Sequence, residues 1–243
     1  MLTHTRALFV RLLGKGYFRA LIGLDIALIA LFLLCYVLAN RGILAGIPEP
    51  LQLARERSIP ETLGYLKWIL SAAALGWCWL KTRQSSYVAL AGLLMLLAAD
   101  DAMMFHETYG WVVAEKLNIP VAFAMDPKEI GEAIVFGLMG CFALVLLGYA
   151  FWRADDAGRA VTFAILATIL GLAFTGVVLD AFHHMSGTIE APHLRRLMIL
   201  GLTLAEDGGE TLLASVMLSL CILRASDVMN RPASGPATDS IRP

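Results

Sequence analysis

Charge is scarce in this chain: Asp, Glu, Lys and Arg make up 16% of its 243 residues, against 58% hydrophobic residues and a mean hydropathy of +0.71. That balance is a membrane protein's, and it excludes an ordinary soluble domain. A basic stripe with interleaved aromatics is also missing, and the net charge is only -1, so nucleic acid is excluded as a partner. Cys35, Cys78, Cys141 and Cys221 stand singly in apolar runs, without a CxxC pair or zinc-like spacing. They read as small buried hydrophobes and set no redox compartment. There is no nucleophile elbow, and no serine or cysteine is paired with a histidine at informative spacing. A secretory leader is not expected either. The apolar run after Arg6, Arg11 and Lys15 extends from Tyr17 to about Ala39, longer than a leader's core and without a small-x-small cleavage site.

Long apolar runs are what the chain does have. Stretches at 17–39, 63–81, 86–106, 130–152, 160–182 and 198–223 each approach the roughly 20 residues a helix needs to cross the hydrocarbon core. They lack a barrel's alternation, and an open sheet would leave backbone groups unsatisfied in lipid. The expected fold is all-α: a polytopic bundle of six transmembrane helices over 1–225, followed by a disordered tail over 226–243 whose "NRPASGPATDSIRP" is rich in Pro, Ser and Gly. The Lys and Arg distribution favours an inner membrane protein with both termini in the cytoplasm. That orientation puts eleven of nineteen basic residues inside, including the turns "KTRQ" and "RADDAGR". The longer outer loops, 40–62 and 107–128, contain Pro48, Pro50, Pro60 and Pro120 and are expected to lie on the membrane surface or fold over the bundle.

The polar residues of the spans fall at a common depth. At about 1.5 Å per residue from the basic collars, Asp100 lies about 26 Å from Arg83, and Glu107 about 36 Å. Glu132 and Asp180 each lie about 32 Å from Arg153 and Arg159, Glu206 about 27 Å and Glu210 about 21 Å from Arg224, and Lys67 about 21 Å from Lys81. Asp100 and Glu107, seven apart, share a face if one helix runs through both, whereas Asp101 and His106 point elsewhere. In "LDAFHHM", His183 and His184 follow Asp180 at three and four residues. Asp25, in the first span, stands apart from this layer and needs a proton or a bond to a neighbouring helix.

Asp100, Asp101, Glu107, Glu132, Asp180, Glu206, Asp207 and Glu210 are eight carboxylates gathered against Lys67 and the histidines, and they need neutralising, because unit charges 4 Å apart interact by about 4 kcal/mol at an effective dielectric of 20. A bound divalent ion is one means. Asp180-x-x-His183 has a carboxylate–imidazole spacing like that used in di-iron and di-manganese bundles. Mixed carboxylate and imidazole ligands suit zinc, iron or manganese without choosing among them. The expected ligand set is Asp100, Glu107, Glu132, Asp180, His183, His184, Glu206 and Glu210. "DPKE" reads instead as a helix start, with Asp126 as cap, Pro127 in the first turn and Glu129 completing a capping box. Gly208 and Gly209 either loosen the last helix to offer carbonyls or let helices pack closely.

The stretches "ADDAMMFHE" and "AEDGGE" resemble the DE-x-x-x-x-HE and EEGxE pattern of a loose group of uncharacterised bacterial multi-span membrane proteins. The resemblance covers about fifteen residues, departs from the pattern at Asp101 and Asp207, and implies a shared polar site without naming a substrate. Three classes follow from these residues. The first is a metal-dependent enzyme acting on a lipid-borne substrate, and the second a proton- or cation-coupled transporter or channel. The third is a sensor or assembly subunit. Membrane lipids are partners in all three.

Overall fold

The computed structural model describes residues 2–121, 126–179, 182, 186 and 190–230. Among them are eight α-helices and no strand: α1 (Leu2–Leu13), α2 (Gly16–Asn40), α3 (Ile59–Thr82), α4 (Ser85–Met103), α5 (Phe105–Leu117), α6 (Pro127–Arg153), α7 (Asp156–Ala173) and α8 (Pro192–Met229). A π-helical segment, Phe174–Leu179, continues α7. Six helices are long and apolar enough to span a membrane, and they match the six apolar runs. The protein is therefore an integral membrane helical bundle. Its outward faces carry an apolar band, with Leu138, Leu144 and Val145 of α6 and Leu24, Ile26 and Leu34 of α2 all exposed. In water such a band would be a large aggregation patch; in lipid it is the required surface.

Local chemistry starts and stops these helices where the sequence indicates. Ser58 caps α3, accepting from the Glu61 amide at 3.4 Å with Pro60 in the first turn. Asp155 caps α7 at 2.7 Å from the Gly158 amide. At α6 the capping box forms as expected: the Asp126 side chain accepts from the Glu129 backbone, and the Asp126 amide donates to Glu129 Oε2 at 2.9 Å.

α8, 38 residues long, is the hub of the bundle, packing on α2, α3 and α7. α4 lies against α3 and α6, and α5 against α6. The core lies between α3, α4, α7 and α8, where Leu75, Tyr87, Leu90, Leu93, Ile165, Met217 and Leu220 are fully buried. Cys35, Cys78 and Cys221 are buried, as expected, but Cys141 is exposed on α6; only a small part of that helix faces protein, so an apolar position there meets lipid instead.

One other expectation is corrected. The third run is not one helix to residue 106: α4 ends at Met103, and Met104, at φ 53° and ψ 42°, turns the chain into α5. A non-glycine residue in the left-handed region is uncommon and has no reliable sequence signature. Asp100 and Glu107 consequently belong to different helices. The segment after this turn, expected to lie on the membrane surface or fold over the bundle, is α5, folded against the start of α6.

Gly110 of α5 and Gly131 of α6 make that contact possible. A Cβ on Gly110 would stand 2.5 Å from Glu132 Cγ, and one on Gly131 would overlap the Gly110 carbonyl oxygen. Gly131→Val is therefore expected to lift α5 from α6 and to destabilise the protein by about 1–3 kcal/mol, the usual penalty for overpacking. Thermal unfolding in detergent, with limited proteolysis at 105–121 as a local probe, measures it; an unchanged midpoint and cleavage pattern would contradict the tight crossing.

Candidate functional site

The polar residues form three groups. The first is at the α4–α5 turn. Met104 is the N-cap residue of α5 and offers no side-chain acceptor. Asp100 takes that role from the preceding helix: Oδ1 accepts from the His106 amide at 3.0 Å, and Oδ2 meets the His106 ring Nδ1 at 2.9 Å. The expectation that His106 points away from Asp100 assumed a continuous helix, and the left-handed Met104 overturns it. The ring also lies 4.3 Å from that of Phe136, centroid to centroid. Burial opposes a charged imidazole, but the Asp100 hydrogen bond and the fields of Asp100, Glu107 and Glu132 outweigh it, and the His106 pKa is raised.

The second group crosses from α5 to α6. Lys128 Nζ lies 3.1 Å from Glu132 Oε1 and 3.6 Å from Glu107 Oε2. Lys128 sits in the capping segment, and its role as counter-ion to the acidic layer is not apparent from the sequence. The i,i+4 spacing to Glu132 was the available signal.

The third group lies deep among α2, α3 and α8. Lys67 Nζ donates to Asp25 Oδ1 at 2.6 Å and to the Thr211 carbonyl at 3.1 Å, and Ser215 Oγ donates to Asp25 Oδ2 at 2.5 Å. The side chains of Lys67 and Asp25 are 4% and 0% exposed, which closes both groups off from bulk solvent. Lys67 is thus committed to Asp25, not to the acidic layer where its depth had placed it. Asp25, the carboxylate that stood apart, has the bond to a neighbouring helix that it needed.

Of the eight proposed ligands, the structure brings Glu107 and Glu132 together around Lys128, and engages Asp100 with His106. Glu206 and Glu210 are half-buried on α8, where Glu210 Oε1 lies 2.6 Å from the position of a Cβ on Gly176 in the π-helical segment. Asp180, His183 and His184 lie outside the described residues. Among the described residues no three His, Cys, Asp or Glu side chains are grouped to hold one metal ion. Gly208 and Gly209 serve close packing: a Cβ at Gly208 would meet Ile29 at 3.3 Å, and one at Gly209 would meet Thr175 at 3.0 Å.

The raised histidine value fixes a sign. A group whose folded-state pKa is raised adds stability in full below its unfolded-state value, about 6.5, and loses that contribution as pH rises through the folded-state value. Asp100→Asn should therefore cost about 1.5–3 kcal/mol at pH below about 6, as for a hydrogen bond to a charged group, and progressively less at higher pH. Unfolding midpoints of wild type and variant across pH test this; a gap that is constant, or that widens towards alkaline pH, contradicts it.

Neither a curated protein nor a solved structure matches the chain. A family model does, across all six spans: residues 20–225 match the domain of unknown function DUF8692, and the chain belongs to that family.

Proposed function

We propose that the protein is a proton- or cation-coupled membrane transporter whose exchanging centre is the Asp25–Lys67 pair. The observation that carries this reading is a buried carboxylate–ammonium pair held between three membrane spans. Ionisable residues inside a membrane are costly and typically mark proton or ion routes. Moving one proton from Lys67 Nζ to Asp25 Oδ1 breaks one N–H bond, forms one O–H bond and leaves both groups neutral, so the pair separates without stranding a charge.

The pair meets α8 at the Thr211 carbonyl and the Ser215 hydroxyl. Thr203, Asp207, Thr211, Ser215 and Ser219 follow one another at four-residue intervals, and because each such step overshoots a full turn by about 40°, this polar stripe winds around α8 by about 160° from Thr203 to Ser219. All but Asp207 are buried, and Asp207 is half-buried. From Thr203 to Arg224 the helix rises about 32 Å, the thickness of the hydrocarbon core. Ser219 Oγ is buried without a hydrogen-bond partner among the described residues, a place where a conducted proton or a water could bind. In this reading the winding stripe is the polar continuation across the bundle that the acidic layer alone lacks.

Removing one member of a buried pair typically costs 3–5 kcal/mol, whereas replacing both with apolar groups is often neutral. Asp25→Asn and Lys67→Met are each expected to destabilise by about 3–5 kcal/mol, and Asp25→Leu/Lys67→Met to recover most of that loss. In proteoliposomes under an imposed pH gradient, wild type should carry a proton flux that the double variant lacks despite its restored fold. Absent flux in wild type, or unchanged flux in the double variant, would reject the reading.

A second reading retains a divalent ion on the α7–α8 side. It rests on the close approach of Glu210 to Gly176, which aims an α8 carboxylate at the segment leading to Asp180, His183 and His184. In this reading Glu206 and Glu210 would join those three around zinc, iron or manganese, and a metal held there would serve an enzyme acting on a lipid-borne substrate. Elemental analysis of the gently purified protein and of His183→Ala/His184→Ala tests it: metal in the first and not the second supports it, and none in either rejects it.

A further inference from the structure

We infer that the end of the bundle where α1 meets the end of α8 is a binding surface for anionic phospholipid, with α1 lying in the headgroup layer. This end is fixed by Arg11 of α1, which donates to Asp227 of α8 at 3.1 Å through Nη1. One face of α1, with Thr5, Leu8 and Leu12, is buried against the bundle, largely on α7. Arg6, Val10 and Leu13 share the other face at spacings of four and three, and Val10 and Leu13 are 62% and 61% exposed. A short helix showing large apolar side chains beside arginine is suited to an interface, where the apolar groups enter lipid and the cations stay at headgroup level.

The rest of this end repeats that chemistry. Lys81 lies over the Trp77 ring, Arg83 over Trp79, Arg153 over Trp152 and Arg159 over Phe151, at 4.8 to 5.9 Å. Among the described residues every cation–π contact is at this end, including Arg224 over Tyr87. Trp77 and Trp152 are exposed, as expected of an aromatic belt at the hydrocarbon boundary. The three acids here are already used: Asp227 by Arg11, Asp156 by Arg159 and Asp155 by Arg224. Arg6, Lys15, Arg19, Lys81, Arg83 and Arg153 have no carboxylate partner among the described residues. Six uncompensated cations around an apolar, tryptophan-rich rim match a layer that is anionic outside and apolar inside, a combination that free phosphate does not offer.

The test uses the full-length protein in bilayers of phosphatidylcholine alone, in equal parts phosphatidylcholine and phosphatidylglycerol, and in phosphatidylcholine with inorganic phosphate in solution. Thermal midpoint and the phosphatidylglycerol retained on extraction are the readouts. A basic residue at an anionic surface strengthens binding about fivefold, so Arg6→Gln/Lys15→Gln/Arg19→Gln should weaken retention on the order of a hundredfold. Its helical content should stay unchanged, and Arg195→Gln/Arg196→Gln, altered at the opposite end of α8, should retain lipid as wild type does. Enrichment of phosphatidylglycerol with a raised midpoint is expected. Retention no greater than the bulk fraction, equal retention by the triple variant, equal loss in the Arg195/Arg196 control, or equal stabilisation by inorganic phosphate would each overturn the inference.

Discussion

Taking a charge out of water without a partner costs several kcal/mol, and the arrangement of α8 follows from that constraint. Its buried face holds two cationic side chains at two depths. At the level of Thr211 and Ser215 it helps to seat Lys67 and Asp25, tying α2 and α3 to itself. Near its end Arg224, 3% exposed, donates through Nε to Tyr87 Oη at 2.6 Å and approaches Asp155 at 3.5 Å, tying in α4 and the start of α7. One helix thus joins four neighbours through directional contacts, in a solvent that gives no hydrophobic reason for helices to associate. Close packing at Gly208, Gly209 and Gly171 supplies the remaining contacts, since each has no room for a side chain without displacing Ile29, Thr175 or Leu213.

The acidic layer is governed by the same constraint, but its solution differs from the one the sequence suggests. Crowded carboxylates there call for a compensating positive species, and much of that species comes from the chain itself. Lys128 stands between Glu107 and Glu132, and His106 faces Asp100 with a raised pKa. Three of the eight residues proposed as metal ligands are thereby engaged elsewhere.

The spans were legible because their signal is long and one-dimensional: about twenty apolar residues with a basic turn define a crossing regardless of what it touches. Capping at Asp126 was legible for a related reason, since all its partners lie within four residues. Angular relations were legible only while the helix continued. At Met104 a single residue with positive φ rotates everything after it, which brings His106 back to Asp100 and separates Asp100 from Glu107. The Asp25–Lys67 pair was hidden by measuring depth at the backbone. Counted from Lys15 and Lys81, the two residues differ in level by about 6 Å, and a lysine stem spans about that distance. Depth bookkeeping therefore put Lys67 with the acids and left Asp25 alone, although each was the other's partner.

A buried ion pair is poor evidence for stability, because well-packed apolar side chains of similar volume usually hold a fold as well or better. Its remaining structural use would be to fix the register of the helices it joins. Here α2 meets α8 through Ile29 against Gly208, and α3 starts from its own Ser58 cap and packs along α8. The three spans therefore have register cues that do not involve charge. The Asp25–Lys67 pair, buried beside a hydroxyl and a carbonyl that complete its hydrogen bonds, therefore adds to register cues already present, and the proposed proton exchange is a use for it that those cues do not supply.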